Sequence, residues 1–550
     1  MIWGMENLSS VKTQSWLAWF LRGILILGFI ILFGRLFELQ VIKGNYFRNL
    51  SEGNRIRRVV ISAPRGQILA RGGEVLVGNK EVKRRIIFNP QEGYEISDDV
   101  SKATSDEIIT EWIRDYKLKE SFAHISGYLG LVSKDEMGKI DPNCPEKGVK
   151  GNDSYVGRSG LEEKYDCLLS GKDGEELIEV DTTGKKIRSL GKREPVAGKD
   201  VKTTVDYSLQ EKVSTVMGGK PGAIVVSDRQ GEILALYSSP SYDPNIFLND
   251  NYRKEVESLL NDQGLPLFNR AIGGLYHPGS VFKTIVAIAG LEEKVIDKNY
   301  VYDDPGVITI NDFSYSNWFY TQSKGKEGAI GIVRAIGRST DTFFYKLGEM
   351  LGIEKIDKWA EKFGLNAKTN IDLVGEIGGL VPSPEWKLKT KNENWFLGNT
   401  YHVSIGQGDL ALTPLLINTV VATIANDGKL CSPRIGEKPK CKDLGISKET
   451  LDLVKEGMIA ACSSGGTGFP FFDSNPQVAC KTGTAETSEE NITHAWFTFF
   501  APATFAKDIT DEKQKPDFIV TVLVEKGGEG SSVAGPMAKD IFDYWFGKQK

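Results

Sequence analysis

Three short stretches carry the side chains with chemistry in them. In LYHPGSVFKTIVAIAGLEE, residues 275–293, Ser280 follows Pro278-Gly279 and stands three positions before Lys283. On a helix those two residues share a face. Val281, Phe282, Ile285, Val286, Ile288, Ala289 and Leu291 make the run apolar nearly all round, which predicts a buried helix. A buried lysine is costly unless paired or neutral, and a lysine with a depressed pKa beside a hydroxyl activates a serine nucleophile. A helix-capping serine with a lysine snorkelling to solvent is the competing reading of the same spacing. Ser339-Thr340-Asp341, in AIGRSTDTFFYKLG, falls between two helical runs, and Lys481-Thr482-Gly483-Thr484 ends a strand run.

The elements that must bring these stretches together begin near residue 206. GAIVVSDRQGEILALYSS reads as a β-hairpin turning at Arg229-Gln230-Gly231. Apolar helices are expected at 280–292, 329–336, 342–350 and 353–363. In the last, Ile353, Ile356, Trp359, Ala360 and Phe363 fall on one face and Gly364 is placed to stop it. PQVACKTGTAE, HAWFTFFAP and DFIVTVLVEK supply later strands, and VAGPMAKDIFDYWF a closing helix. Two strands, then helices, then three strands and a helix describe an antiparallel sheet covered by helices. Residues 43–205 have another texture: glycine, charge and short β-type runs, with helical pieces near 103–117 and 160–169 and no titratable cluster of evident use.

The 550-residue chain is of ordinary composition, 40% hydrophobic and 26% charged, and its net charge of −5 leaves no nucleic-acid footprint. Its four histidines are far apart and no paired-cysteine spacing occurs, so neither a metal nor a cofactor is expected. The six cysteines include two close pairs, Cys144/Cys167 and Cys431/Cys441, that an oxidising compartment would join. Six separate thiols fit the sequence equally, and Cys480 reads as a plain strand residue. WLAWFLRGILILGFIILFG, residues 16–34, is interrupted only by Arg22 and spans roughly 28 Å as a helix, close to a bilayer core. No small-residue cleavage site follows, so it reads as an uncleaved anchor. Lys12 and Arg22 are outnumbered by Arg35, Lys43, Arg48, Arg55, Arg57 and Arg58 beyond the span. That is the reverse of the positive-inside pattern for a chain whose bulk lies outside, although long domains translocate largely regardless of charge.

S-x-x-K, S-x-D and K-T-G in this order resemble the motif set of penicillin-binding proteins and serine β-lactamases. Over nearly its whole length the chain resembles the class B penicillin-binding proteins, monofunctional D,D-transpeptidases of peptidoglycan synthesis. NRIRRVVISAPRGQIL resembles their first N-terminal motif, through Asn54, Arg55, Arg57, Arg65 and Gly66, although Ala70-Arg71-Gly72-Gly73 departs from the usual continuation. GRSGLEEKYDCLLSGKDG resembles the second, through Gly160, Glu162 and Tyr165. VKTTVDYSLQ and SIGQGDLALTPLL are further family-like stretches, with Leu416 where a glutamine is usual. Asp341 followed by Thr342-Phe343-Phe344-Tyr345 resembles the elongation-type branch. Division-type relatives, and a β-lactamase or β-lactam sensor, are the alternatives.

The resemblance implies an α+β architecture: a cytoplasmic tail at 1–15, a transmembrane anchor with its helical extension at 16–42, a mixed α/β pedestal of dimerisation type at 43–205, and a serine β-lactamase-like transpeptidase domain at 206–550. It implies a single-pass protein of the inner membrane with its bulk on the periplasmic side. Its implied partners are stem peptides, β-lactams, a SEDS-type glycosyltransferase and elongation-complex proteins. Ser280 is the implied nucleophile, Lys283 its base, and Ser339 a bridge from Lys283 to Lys481. Asp341 is implied to accept hydrogen bonds from Lys283 or the substrate. Lys481, Thr482, Gly483 and Thr484 form the implied substrate-binding strand, with the N–H groups of Ser280 and Thr484 as the oxyanion hole. The zinc site of some elongation-type relatives is not carried over, because residues 284–338 contain neither Cys nor His. Glu376, in NIDLVGEIGG, does not resemble a deacylating glutamate.

Overall fold

The computed structural model describes residues 16–89, 93–97, 100–101, 108–149, 154–181, 186–248, 252–503 and 516–547, without the side chains at 50–54, 86–89, 93–97 and 109. The tail at 1–15 and the side chain of Asn54 therefore lie outside the described residues. The chain divides into two compact units. One is Met1–Ala63, Glu81–Glu111 and Asp173–Val196; the other is Pro64–Lys80, Trp112–Lys172 and Ala197–Lys550.

In the first unit, α1 (Trp16–Phe37) buries none of its side chains. A π-helical turn, Glu38–Ile42, and a helix, Gly44–Arg55, extend it. Among the described residues Trp16–Ile42 is the one stretch long and apolar enough to cross a membrane, and it is read as a single-pass anchor. Ile56–Ile61, Gly174–Val180 and Lys186–Arg193 make a small antiparallel sheet.

The helix expected near 103–117 is corrected: Ile108–Tyr116 is a strand, and 102–107 lie outside the described residues. The isoleucines and Trp112 of IITEWIRDY fit a helical face, but the strand period of 2 puts Arg114 and Tyr116 together on the buried side. Between 43 and 205, where no titratable cluster of evident chemical use is expected, the structure buries an ionic cluster of paired charges. In the second unit, Arg114 Nε donates to Glu162 Oε1 at 2.6 Å and Arg65 Nη2 donates to both Glu162 Oε2 and Asp166 Oδ1 at 2.8 Å. The side chains of Glu162 and Arg114 are 0% and 1% exposed. Burial pushes the Glu162 carboxyl up, but Arg114 and Arg65 outweigh it and hold the group below its ordinary value. The short helices Gly160–Lys164 and Asp166–Leu169 that carry both acids fall where a helical piece was expected.

The large unit is built on five strands: β1 (Gly222–Ser227), β2 (Ile233–Ser239), β3 (Ala479–Glu486), β4 (Thr493–Ala501) and β5 (Phe518–Val524). They are antiparallel throughout, in the order β2-β1-β5-β4-β3. Seven helices matter for the site and its cover: α2 (Lys283–Glu292), α3 (Ile332–Arg338), α4 (Asp341–Leu351), α5 (Ile353–Lys362), α6 (Pro414–Ala425), α7 (Lys448–Ala461) and α8 (Gly535–Gly547). One core packs Phe282, Val286, Ile336, Phe344 and Val420 against Phe500, Ile519 and Leu523 of the sheet. The opposite core packs Ile224, Phe497, Phe499, Val520 and Val522 against Phe542 of α8. Both faces of the sheet are thus dry, which is why β5 reads FIVTVLV without polar alternation and is buried throughout.

Cys144–Cys167 and Cys431–Cys441 are joined as disulfides. The reading of Cys480 as a plain strand residue is corrected: it is bonded to Cys462. That bridge ties the C-terminal cap of α7 to β3, one residue before Lys481.

Candidate active site

The S-x-x-K stretch enters the site through Gly279, whose φ is +56°, a conformation that glycine adopts without steric cost. A Cβ there would lie 3.0 Å from Thr484 O. Gly279 N–H donates to Gly406 O, and a Cβ on Gly406 would fall 2.0 Å from Gly279 O. From the other side, a Cβ on Gly483 would lie 2.9 Å from Trp496 Cβ and 3.0 Å from both Pro278 O and Val281 Cγ2. Backbone therefore packs on backbone where the nucleophile turn, the SIGQG loop and β3 meet. Ser280 sits in the tight turn Gly279–Val281 at the head of α2, half-buried. Among the described residues its hydroxyl has no hydrogen-bond partner.

Lys283 begins α2 and is fully buried. Its Nζ donates to Asp341 Oδ1 at 2.6 Å and to Ser339 O at 2.8 Å, with Ser339 Oγ at 3.3 Å. Ser339 caps α3 in the left-handed region, φ +56°, which turns the chain sharply into α4. Lys481, also 0% exposed, reaches from β3 to the other side of that hydroxyl, with Nζ–Oγ at 2.8 Å and a second bond to Thr482 O at 3.0 Å. Burial lowers the pKa of Lys283, and Asp341 opposes the fall. Burial pushes Lys481 well below the ordinary lysine range, and cationic Lys283 adds to the fall.

Asp341 is held on its second oxygen by the backbone N–H of Trp318, at 3.1 Å, and Trp318 Nε1 donates to Arg338 O. The segment between the first two motifs is ordered by buried Asp304, which accepts from Gly306 N–H, Glu327 N–H, Asn317 Nδ2 and Thr342 Oγ1. Thr482 donates to Thr467 Oγ1 at 2.9 Å, and Thr484, exposed, accepts from Gly530 N–H. Glu376 accepts from Thr369 N–H, Thr369 Oγ1 and Asn370 N–H, so its carboxylate is occupied in pinning its own loop.

Lys283, Ser339, Asp341 and Lys481 thus meet at one node, Ser280 stands in the turn three positions before Lys283, and Thr482, Gly483 and Thr484 follow Lys481 along the edge strand. Trp318, Thr467 and Gln407, whose Nε2 approaches Thr484 O at 3.5 Å, were not singled out from sequence. The only advance signals were the glycine-rich run SSGGTG before Phe469 and the family-like SIGQG. Among the described residues the one group with converging metal-ligand atoms is Asp141, Cys144 and Cys167, and both its sulfurs are spent in a disulfide.

Residues 222–543 match the penicillin binding protein transpeptidase domain, and residues 88–203 match the penicillin-binding protein dimerisation domain. The peptidoglycan D,D-transpeptidase MrdA of Acinetobacter baumannii is 31% identical over 96% of this chain and 87% of its own. The MrdA of Escherichia coli K12 is 29% identical over 95% and 92%. Among solved structures, Helicobacter pylori PBP2 in complex with MreC superposes with a TM-score of 0.75 at 28% identity, covering 90% of this chain and 99% of that one. Pseudomonas aeruginosa PBP2 in complex with WCK 5153 gives 0.71 at 31%, covering 89% and 96%. The chain belongs to the penicillin-binding protein transpeptidase family. Within that family it falls in the elongation-type class B branch of D,D-transpeptidases, and the division-type alternative falls away.

Proposed function

We propose that the chain cross-links peptidoglycan stem peptides through an acyl-enzyme on Ser280 during cell-wall elongation, and that β-lactams acylate the same hydroxyl. The observation that carries this reading is the buried node of Lys283, Ser339, Asp341 and Lys481 at the head of the helix that begins beside Ser280. Ser280 Oγ attacks the D-Ala-D-Ala carbonyl carbon, its proton passes to a lysine amine, and the C–N bond breaks as the proton returns to the leaving D-alanine. The N–H groups of Ser280 and Thr484 take the developing oxyanion. Lys481, Thr482, Gly483 and Thr484 hold the peptide along β3. As an edge strand, β3 presents backbone groups to which an extended chain can pair. An acceptor amine from a neighbouring strand then opens the ester.

The domains are assigned as 43–205 for the pedestal and 206–550 for the transpeptidase, with the tail at 1–15 in the cytoplasm and the bulk on the periplasmic side. MreC, seen with the Helicobacter pylori relative, supports an elongation-complex protein as partner. A relative also stands in a peptidoglycan synthase complex that coordinates polymerization and crosslinking, which supports a polymerase as partner, and we assign that partner to the SEDS type by family resemblance. The test is a fluorescent penicillin followed by intact-mass and peptide mapping. An adduct on Ser280 that persists for many minutes after free drug is removed is expected. An adduct on another residue, or loss within seconds with repeated turnover, overturns the reading in favour of another nucleophile or a β-lactamase.

A further inference from the structure

One of the three disulfides adjoins the motifs. Cys462 caps α7, Cys480 stands on β3 immediately before Lys481, and the two are 4% and 0% exposed. The loop 463–468 that leaves α7 lies on this bridge. Gly468 N–H donates to Ala461 O at 2.7 Å, and a Cβ on Gly468 would fall 2.6 Å from Cys480 Sγ and 2.8 Å from Cys462 Sγ. The same loop holds two motif stretches. Thr467 Oγ1 accepts from Thr482, next to Lys481, at 2.9 Å. Gly465 O accepts from Nη1 of Arg338, next to Ser339, at 3.0 Å. Lys481 and Ser339 themselves meet at 2.8 Å. The bridge is therefore the base of a brace that reaches both sides of that contact. β3 needs one, because an edge strand has a neighbour in the sheet on one side only. The other two bridges adjoin no motif residue. Cys431–Cys441 joins a two-stranded ribbon, and Cys144–Cys167 ties the turn 145–147 to the helix Asp166–Leu169.

Resting on the site proposed above, we propose that the Cys462–Cys480 bond is a positioning element of the acylation machinery, so that the chain acquires its full acylation rate only once these two thiols have been oxidised. Oxidation removes two protons and two electrons from Cys462 and Cys480. The acceptor is a thiol–disulfide oxidoreductase, whose own S–S bond breaks to two thiols as the Cys462–Cys480 bond forms. Both sulfurs are buried in the finished fold, so this exchange precedes the closing of α7 on β3. Afterwards an attacking thiolate has no access to either sulfur. The bond is set once, as the chain matures, and is not a reversible switch.

The experiment measures acylation of the full-length chain in detergent by a fluorescent penicillin, separating the limiting acylation rate from the dissociation constant of the first complex. Cys462→Ala/Cys480→Ala is expected to lose ~10–100-fold in the limiting rate, the scale of a small misplacement of catalytic groups, with the dissociation constant within about threefold of the parent. Cys431→Ala/Cys441→Ala and Cys144→Ala/Cys167→Ala should melt lower, as chains without a cross-link do, yet acylate within about twofold of the parent. The parent made by cell-free synthesis into lipid nanodiscs under dithiothreitol should acylate like the Cys462→Ala/Cys480→Ala protein, and the same synthesis with oxidised glutathione should restore the parental rate. Gly468→Ala keeps the bond but drives a methyl group onto both sulfurs, and it serves where the alanine pair does not fold. It should slow the limiting rate about tenfold, with the bond still present by peptide mapping. Three results would each overturn the assignment: a Cys462→Ala/Cys480→Ala protein that acylates within threefold of the parent, equal rate losses in all three alanine pairs, or a Gly468→Ala protein with the parental rate. Since the parent must form its Ser280 adduct before any of these rates exists, failure of the site itself is read separately.

Discussion

Two buried ionic clusters lie in the same unit of this molecule. Arg65, Arg114, Glu162 and Asp166 set two cations against two carboxylates. Lys283, Lys481 and Asp341 set two amines against one. The first uses guanidinium, which keeps its charge at any working pH, so the charges must match for the cluster to be buried at all. The second uses amines, which can shed a proton, so the missing carboxylate is met by a fall in the pKa of Lys481. Balanced permanent charge makes a rivet, and unbalanced titratable charge makes a reagent.

The comparison predicts opposite outcomes for one kind of substitution. Lys481→Met should slow acylation by ~10²–10⁴-fold with the melting temperature held or raised, since it removes a buried amine that has no counter-ion. Arg114→Met should do the reverse. It leaves Glu162 short of a partner and costs ~3–5 kcal/mol of stability, while protein that remains folded acylates at the parental rate. Calorimetry and penicillin labelling on both variants check the pair. A large rate loss in Arg114→Met at full folding would dissolve the distinction.

pH separates the clusters again. Glu162 titrates below its ordinary 4.5, so its stabilisation is complete above that value and is lost as pH falls through its folded value. Melting at descending pH should show an acid-labile step, absent in a Glu162→Gln variant. Lys481 titrates below 10.5, so the unfolded chain binds the extra proton between its folded value and 10.5 and stability rises with pH across that window. Melting temperatures of the parent and Lys481→Met at ascending pH read this rise, which should be missing from the variant.

Much of the active site was legible in sequence because its motifs are short and local. Ser280 and Lys283 sit on one turn, and the apolar residues around them announced a buried helix. The sheet was legible because dry strands are unbroken apolar runs. The Arg65–Glu162–Arg114 rivet was not, because Arg65 and Glu162 are 97 positions apart and nothing local in IITEWIRDY says that its arginine points inward. The Cys462–Cys480 bond hid for a similar reason. Each cysteine sits in an ordinary cap or strand, and only the packing of α7 on β3 joins them. Trp318 acts through its backbone N–H, which no side-chain identity encodes.

Smaller effects sharpen the picture of how the lysines are held. Gly483→Ala should cost ~1–3 kcal/mol by overpacking against Pro278 and Val281, with acylation slowed about tenfold as the nucleophile turn is pushed from β3. Thr467→Val, which deprives Thr482 of its partner, should cost about 0.5–1.5 kcal/mol and change acylation only a few-fold. Thermal melts and labelling rates on the two variants rank them, and the reverse order would mean that the hydroxyl pair rather than the glycine contact sets the position of β3.

The glycine contact has a consequence for how this chain can change under drug selection. At 279, 406 and 483 the space a methyl group would need is already taken by neighbouring backbone or side chains. Adding bulk beside the nucleophile to shut out an inhibitor is therefore closed as a route, because the first mutational step unseats the machinery it would protect. Variation that spares catalysis is left to positions outside these contacts, such as Thr467, whose hydroxyl meets Thr482. Adaptation there reshapes the surroundings of the site and leaves its floor untouched.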